Sequence, residues 1–449
     1  MEEIVNPFNP YFPADSRIFA NRAKEQQFFI QGLRQGLHPK GPGPWNVALL
    51  GPWGIGKTSL LRRFAAITSD FDRPAIPISL TITSGLDSLD AFIFLFLEHV
   101  KEILLSRKRW SAKIQQELAK WEMSLQLGPV RVTHQGSQPR ESVHASISLL
   151  YKGLYRLWES ILQGQVSGVV IFLDDAHNLL QFNPQTLLVL RGVFQDLQGI
   201  GAKYPLVITG QEDMFEATRD VAEPVTRFFE RMKLGMFSLE DTKEAIQTPL
   251  RQLNTGISVE EDAITMIWEK SLGHPFFLTF IMRDLVNRHL YLQKRSPIRL
   301  KDVMENWQET LAHLQDDKLH MEWKNATPAE RNVLLALAAK SKEESLVETV
   351  GKKGSGLLNR LLKKGLITKQ ERGNYELYHP LFKEFVLKYQ KTLTRRVLPG
   401  IADGLPRARC QGVSFWRYNR PAASKCSDFA LPGFPFHPII SATKKEQPP

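Results

Sequence analysis

Residues 51–58 read Gly-Pro-Trp-Gly-Ile-Gly-Lys-Thr. A stretch of the form G-x-x-x-x-G-K-[ST] constrains the chain more than any other feature, because each fixed position answers a need of polyphosphate binding. Gly51 and Gly56 let the backbone turn tightly, so that successive N–H groups point inward at phosphate oxygens. Lys57 brings a point charge to the β- and γ-phosphates, and the Thr58 hydroxyl is a hard oxygen ligand for Mg²⁺. The flanks agree: Asn46–Leu50 is a short apolar run suited to a buried strand, and Ser59–Ala66 continues as an amphipathic helix. The helix N-terminus would then sit under the phosphates. The whole stretch Gly51, Pro52, Trp53, Gly54, Ile55, Gly56, Lys57, Thr58 and Ser59 is therefore the candidate segment for ATP or ADP, with Mg²⁺ on Thr58.

A second motif supplies the acids. Gly168–Asp175 reads GVVIFLDD: a buried strand delivers two carboxylates to its C-terminal tip, which is the Walker B pattern. Asp174 is the candidate Mg²⁺ ligand. Asp175 is the candidate base that orients or deprotonates the attacking water; it stands where Glu is commoner and is one methylene shorter, so slow hydrolysis is expected. Leu206–Gln211 (LVITGQ) ends a further strand, and its tip offers Thr209, with Gln211 in reserve, to sense the γ-phosphate. Arg231 closes the run Arg227-Phe-Phe-Glu-Arg231 before a fifth strand. It reads either as a solvated arginine or as a finger reaching a neighbouring subunit's nucleotide.

The 449 residues exceed one ordinary domain. Strand-like runs at Val47–Leu50, Ala75–Leu80, Val169–Leu173, Leu206–Thr209 and Met232–Phe237 alternate with helical stretches, which argues an α/β core with a parallel sheet. Between the second and third run, Ala91–Leu105, Ala112–Trp121 and His144–Leu162 read as helices and 127–142 as a loop. From 238 the pattern turns helical: Ser238 opens a helix with early acids, and helices are expected near 259–270, 275–293 and 300–320. Thr327-Pro-Ala-Glu caps another helix. It begins a unit of helix, helix, basic helix (355–364) and two short strands joined by Arg372-Gly373-Asn374, the layout of a winged helix. The boundaries expected are 1–237 for the core, 238–326 for a helical lid, 327–391 for the winged helix, and 392–449 for a Pro/Gly-rich tail that reads as disordered.

The formal charge of +11 is uneven: residues 327–391 carry +6 and residues 392–449 another +6, leaving the rest near neutral. Any contact with double-stranded DNA falls to the C-terminal third, through Lys352, Lys353, Ser355, Asn359, Arg360, Lys363 and Lys364, although such a run is also what a solvated face carries. No apolar run reaches the ~20 residues of a membrane span. The acidic, proline-bearing start MEEIVNPFNP does not read as a secretory signal, and both cysteines, Cys410 and Cys426, fall in the tail, so a cytoplasmic setting is expected.

The order P-loop, GVVIFLDD, LVITG and arginine before a strand, followed by lid and winged helix, resembles the AAA+/STAND P-loop ATPases, and among them the origin-recognition-like group, over about residues 6–391. The resemblance implies an AAA+-type core and three further nucleotide contacts. Phe19-Ala-Asn-Arg22 with Glu25 resembles the family's F-x-G-R-x-x-E, whose arginine lines the adenine; here Asn21 stands in place of glycine. Gly273-His-Pro275 resembles the lid motif whose proline packs on the base. Leu377-Tyr-His379-Pro-Leu resembles the motif of STAND switches whose histidine touches the β-phosphate, although a capping or core histidine would read the same. The resemblance further implies an ATP-hydrolysing switch that self-associates or meets a protein partner. It acts either on DNA through the winged helix or as a signalling ATPase whose winged helix is a brake.

Overall fold

The computed structural model describes residues 5–41, 43–106, 112–126, 139–181, 185–215, 225, 227–293, 296–339, 354–369 and 374–397. The chain divides into two units, Met1–Thr392 and Leu393–Pro449. In the second, just the end of the last helix lies among the described residues.

Five strands form one parallel sheet: β1 (Val47–Leu50), β2 (Ala75–Thr81), β3 (Gly168–Asp174), β4 (Leu206–Gly210) and β5 (Glu230–Lys233). Their spatial order is β2-β3-β4-β1-β5, and each adjacent pair is parallel. Every residue of β1, β3 and β4 is buried, as expected of central strands covered on both faces. β4 thus lies between the P-loop strand and the acidic strand, which brings the tips of all three together. The fifth strand was expected at Met232–Phe237 but occupies Glu230–Lys233. After Leu234, whose N–H reaches Leu50 O at 2.8 Å, the chain leaves the sheet and Phe237 N–H donates to Gly273 O (2.8 Å).

One face of the sheet is covered by α1 (Ala23–Gly36) and α2 (Lys57–Ser69), where Phe29 and Phe64 stack at 4.0 Å over Phe172. The other is covered by α3 (Leu89–Leu105), α5 (Pro139–Leu157) and α6 (Thr186–Gly199), with α4 (Ala112–Gln126) outside them. The stretch expected as a loop over 127–142 is helical from Pro139; residues 127–138 lie outside the described residues.

The lid comprises α7 (Leu239–Gln252), α8 (Glu261–Ser271), α9 (Pro275–Tyr291) and α10 (Leu300–Leu314). Ser238 caps α7 reciprocally with Asp241, as its sequence predicts. The helix expected over 300–320 is present and continues to Asn325, with one change of pitch. A π-helical turn at Gln315–Leu319 joins α10 to α11 (His320–Asn325). Then follow α12 (Pro328–Ala339), α13 (Gly354–Lys363), the antiparallel pair β6 (Ile367–Lys369) and β7 (Tyr375–Leu377), and α14 (Pro380–Val397). Thr327 and Glu330 cap α12 reciprocally. The last helix, α14, was not anticipated and runs past residue 391. Residues 340–353 and 370–373, which hold the expected middle helix, Lys352, Lys353 and most of the hairpin turn, lie outside the described residues, as does the tail from 398. A core of Phe276, Phe277 and Phe280 from α9 with Leu334, Leu361, Phe382 and Phe385 joins the C-terminal elements to the lid. Among the described residues no helix is long and apolar enough to cross a membrane.

Candidate functional site

A cavity of about 520 Å³ opens where the P-loop faces the lid. The loop forms as its glycines dictate. Gly54 and Gly56 have φ of 75° and 92°, in the left-handed region that favours glycine. Gly56 caps α2, whose first residue is Lys57. A Cβ on Gly56 would meet nothing within 4 Å, so that glycine serves the backbone turn rather than a close approach. The Lys57 ammonium is held at 2.9 Å by the carbonyls of Gly51 and Pro52. Burial pulls it below the ordinary lysine value, while the nearby charges of Asp175 and Asp174 oppose that shift.

The strand tips form a connected set. Thr209 Oγ1, wholly buried at the end of β4, donates to Asp174 Oδ1 at 2.6 Å and accepts from Asp175 N–H at 2.8 Å. Asp175 has φ of 54°, so its carboxyl turns out of the strand line and lines the cavity. Burial raises its pKa, Asp174 raises it further, and His177 and Lys57 pull the other way. Asp174 stays buried behind it. The hydroxyl proposed from sequence as a γ-phosphate sensor is thus committed to the acidic pair, and it fixes where Asp174 and Asp175 point.

The structure places the other sequence candidates as follows. Trp53 to Ser59 line the cavity, as do Arg22 and Pro275. Ser59 Oγ also accepts from Ala14 N–H (3.1 Å). Arg22 donates to Gly235 O (2.7 Å) and pairs with Glu25 (3.3 Å), while its guanidinium lies 4.7 Å over the Phe237 ring. Asn21 has φ of 75°, and Asn is among the few side chains that tolerate the left-handed region. Arg231 is exposed on the outer edge strand, its guanidinium 4.8 Å over Phe215. His379 is not among the cavity residues. It is buried, Nε2 donates to Ser271 O (3.0 Å), Nδ1 accepts from Leu381 N–H (3.2 Å), and burial holds its pKa down to about 4. Both ring nitrogens are satisfied, which is the structural reading of this residue.

Of the basic cluster, Ser355, Asn359, Arg360, Lys363 and Lys364 are exposed. Arg360 and Lys364 are tied at 3.2 and 2.7 Å to the buried carboxylate of Glu330. Sequence inspection missed this pairing because Glu330 precedes its partners by some 30 residues.

Sequence reasoning also missed the segment Pro7–Ile18, which walls the cavity. Asn6 Nδ2 donates to Arg283 O (3.0 Å), Phe8 is buried in the lid core, and Ser16 O accepts from Arg63 (3.1 Å). The segment therefore spans from lid to core across the cavity mouth. Its prolines and aromatics (NPFNPYFP) carry no motif that signals this.

The donor set fits a Mg²⁺–nucleoside triphosphate: an amide-lined turn at a helix N-terminus, a buried cation, one hydroxyl and two carboxylates. No protein-family model matches the sequence, nor does any curated protein. Among solved structures, the Aeropyrum pernix ORC2 protein in its ADPNP–ADP complexes matches with a TM-score of 0.51 at 11% identity, over 83% of this chain and 95% of that chain. A Walker-type ATPase of Pyrococcus abyssi matches with a TM-score of 0.49 at 17% identity, over 82% and 95%. With its parallel β2-β3-β4-β1-β5 sheet, its P-loop and its helical lid, the chain has an AAA+-type P-loop fold.

Proposed function

We propose that the chain is a slow ATPase that works as a nucleotide-dependent switch. The observation that carries this reading is that Lys57 and Asp175 line one cavity, with buried Thr209 bonded to both Asp175 and Asp174 behind them. The amides around Gly54–Lys57 and the Lys57 ammonium hold the phosphates, while Arg22, Pro275 and the Pro7–Ile18 segment bound the space for the base. Thr58 and Asp174 would hold Mg²⁺, which when bound neutralises charge on the phosphate oxygens. Asp175 accepts the proton of the attacking water, a role that its raised pKa suits. The test is binding of a fluorescent ADP analogue: Lys57→Ala is expected to weaken it by more than about 100-fold, since a charge-assisted contact is lost from a buried site. Equal affinity in the two proteins rejects the reading.

The output we favour is action on DNA or a DNA-associated assembly, through exposed Ser355, Asn359 and Lys363 with Lys352 and Lys353. Duplex binding that falls steeply between 50 and 200 mM salt supports it, and no binding at low salt removes it. A second reading, a signalling ATPase whose C-terminal unit is a brake and whose output is protein association, is favoured by one observation. Two cations of the basic helix are already committed to Glu330, and the same unit is packed on the lid. Light scattering under ADP, ATP analogue, and ATP analogue with DNA separates the two: assembly without DNA points to the brake.

A further inference from the structure

The tip of the phosphate-binding loop is gripped by Lys318 and His274, neither of which the sequence singles out as a site residue. Trp53, third in the octapeptide, is 55% exposed, yet its indole is not free. The Lys318 ammonium stands 3.4 Å from the centre of that ring, 4.9 Å from Phe276 and 6.0 Å from Tyr378. Three rings from three parts of the chain thus surround one cation, whose side chain is 12% exposed. A desolvated ammonium is where a cation–π contact is strongest. The charge is balanced by Glu322 Oε1 at 2.6 Å, and the other Glu322 oxygen accepts from Tyr378 OH at 2.7 Å. Lys318 lies on the π-helical turn Gln315–Leu319, a rare geometry that clusters at functional positions. The neighbouring Asp317 on that turn accepts from Tyr11 OH, so the turn also holds the segment that walls the cavity.

A second grip acts on the backbone. His274 Nε2 donates to Trp53 O at 3.2 Å. Gly54 lies directly against it: a Cβ there would stand 2.8 Å from His274 Cε1 and 3.0 Å from Phe276 Cβ. The His274 ring lies 6.0 Å from that of His379, which follows β7. Phe277 packs against both, at 5.0 Å from His274 and 3.9 Å from His379.

We propose that Lys318 and His274 are positioning residues of the phosphate-binding loop, and that through Glu322–Tyr378 and His379 they tie the set of that loop to the C-terminal hairpin. This rests on the nucleotide reading above. Nucleotide that orders the loop then stiffens β7 and the start of α14, and the C-terminal elements in turn hold the loop ready for phosphate.

The test measures dissociation of a methylanthraniloyl-ADP probe from full-length wild type, Lys318→Met, Lys318→Arg, Trp53→Ala and the Lys318→Met/Trp53→Ala double variant. Loss of the cation should speed dissociation about tenfold, the size of a desolvated cation–π contact, and Lys318→Arg should restore it. The double variant should dissociate more slowly than the product of the two single effects predicts, because both changes delete the Lys318–Trp53 contact while Lys318→Met alone also removes the Glu322 pair. Hydrogen exchange under saturating ADP supplies a readout that simple loosening does not move. Residues 375–385 are protected by ADP in wild type and not in Lys318→Met. A wild-type rate in Lys318→Met, multiplying effects in the double variant, or equal ADP protection in the two proteins overturns the proposal. A cooperatively folded wild type that does not bind the probe overturns the nucleotide reading itself, and this inference falls with it.

Discussion

Thr209→Val is the most informative single change, because valine keeps the threonine shape and deletes one hydroxyl from the centre of the acidic set. That hydroxyl donates to Asp174 at 2.6 Å and accepts from Asp175 N–H at 2.8 Å, and Thr209 is fully buried with Asp174 4% exposed. The variant leaves a buried carboxylate oxygen short of a donor and a backbone N–H short of an acceptor. A hydrogen bond to a charged group is worth about 1.5–3 kcal/mol and an unsatisfied buried amide costs about 1–3 kcal/mol. With partial relaxation, a loss of roughly 3 kcal/mol in unfolding free energy is expected. Asp175 would also lose the anchor of its left-handed conformation, which costs an aspartate about 1 kcal/mol to hold. Its carboxyl should therefore leave the attack line, and ATP turnover should fall by more than about tenfold, whereas ADP affinity should change less than about threefold, since Lys57 and the loop amides are untouched. Urea unfolding, steady-state turnover and probe titration on Thr209→Val and Thr209→Ser measure all three. A valine variant within about 0.5 kcal/mol of wild type that turns over normally would refute the linkage of the strand tips.

The other expectations are narrower. Asp175→Asn should cut turnover more than about 100-fold with nucleotide affinity retained, measured by phosphate release against probe titration; unchanged turnover removes Asp175 from the chemistry. Burial holds His274 down to about 3 and His379 to about 4. The unfolded chain takes up these protons near pH 6.5 while the folded one does not, so stability is fully present above that pH and falls as the pH drops. The slope is about 1.4 kcal/mol per pH unit for each histidine, and urea midpoints between pH 6.5 and 5 should show it shrinking in His379→Gln. At Glu330, burial alone would raise the pKa, but hydrogen bonds from Lys364, Thr327 and Arg360 outweigh it and bring the carboxyl to about 2. That stabilisation is present above pH 4.5 and lost as the pH falls toward 2. Because both partner cations are partly exposed, Glu330→Gln should cost about 1 kcal/mol at pH 7 by calorimetry, and a neutral outcome would show that the pair is dispensable.

What was legible in the sequence was local. The P-loop, the acid-tipped strand and the two capping boxes are each set by residues a few positions apart, and the chain folds them as written: Gly56 at φ of 92° under Lys57, Ser238 with Asp241, Thr327 with Glu330. Buried parallel strands were equally plain, since β3 is seven residues of unbroken burial. The errors sit where a local signal ends and a distant partner takes over. Nothing in Met232–Phe237 says that the sheet releases the chain at Leu234; Gly273, nearly 40 residues on, does that by accepting from Phe237.

The same reasoning separates the candidate residues that converge from those that do not. A motif fixes a residue's chemistry, but the other hydrogen-bond partners decide whether that chemistry is available. Thr209, His379, Arg360 and Lys364 were each assigned to a ligand on sequence grounds. Thr209 and His379 meet Asp174 and Asp175, and Ser271 and Leu381, inside the protein, while Arg360 and Lys364 each bond Glu330 and stay exposed to solvent. Conversely, Trp53 and Lys318 look like an arbitrary loop residue and an arbitrary surface lysine, 265 positions apart, until the fold sets them 3.4 Å apart. Such pairs carry no local spacing rule, because loop closure over hundreds of residues costs little more than over tens. The information that couples this loop to the lid therefore lies in the tertiary structure, and a sequence read in windows does not contain it.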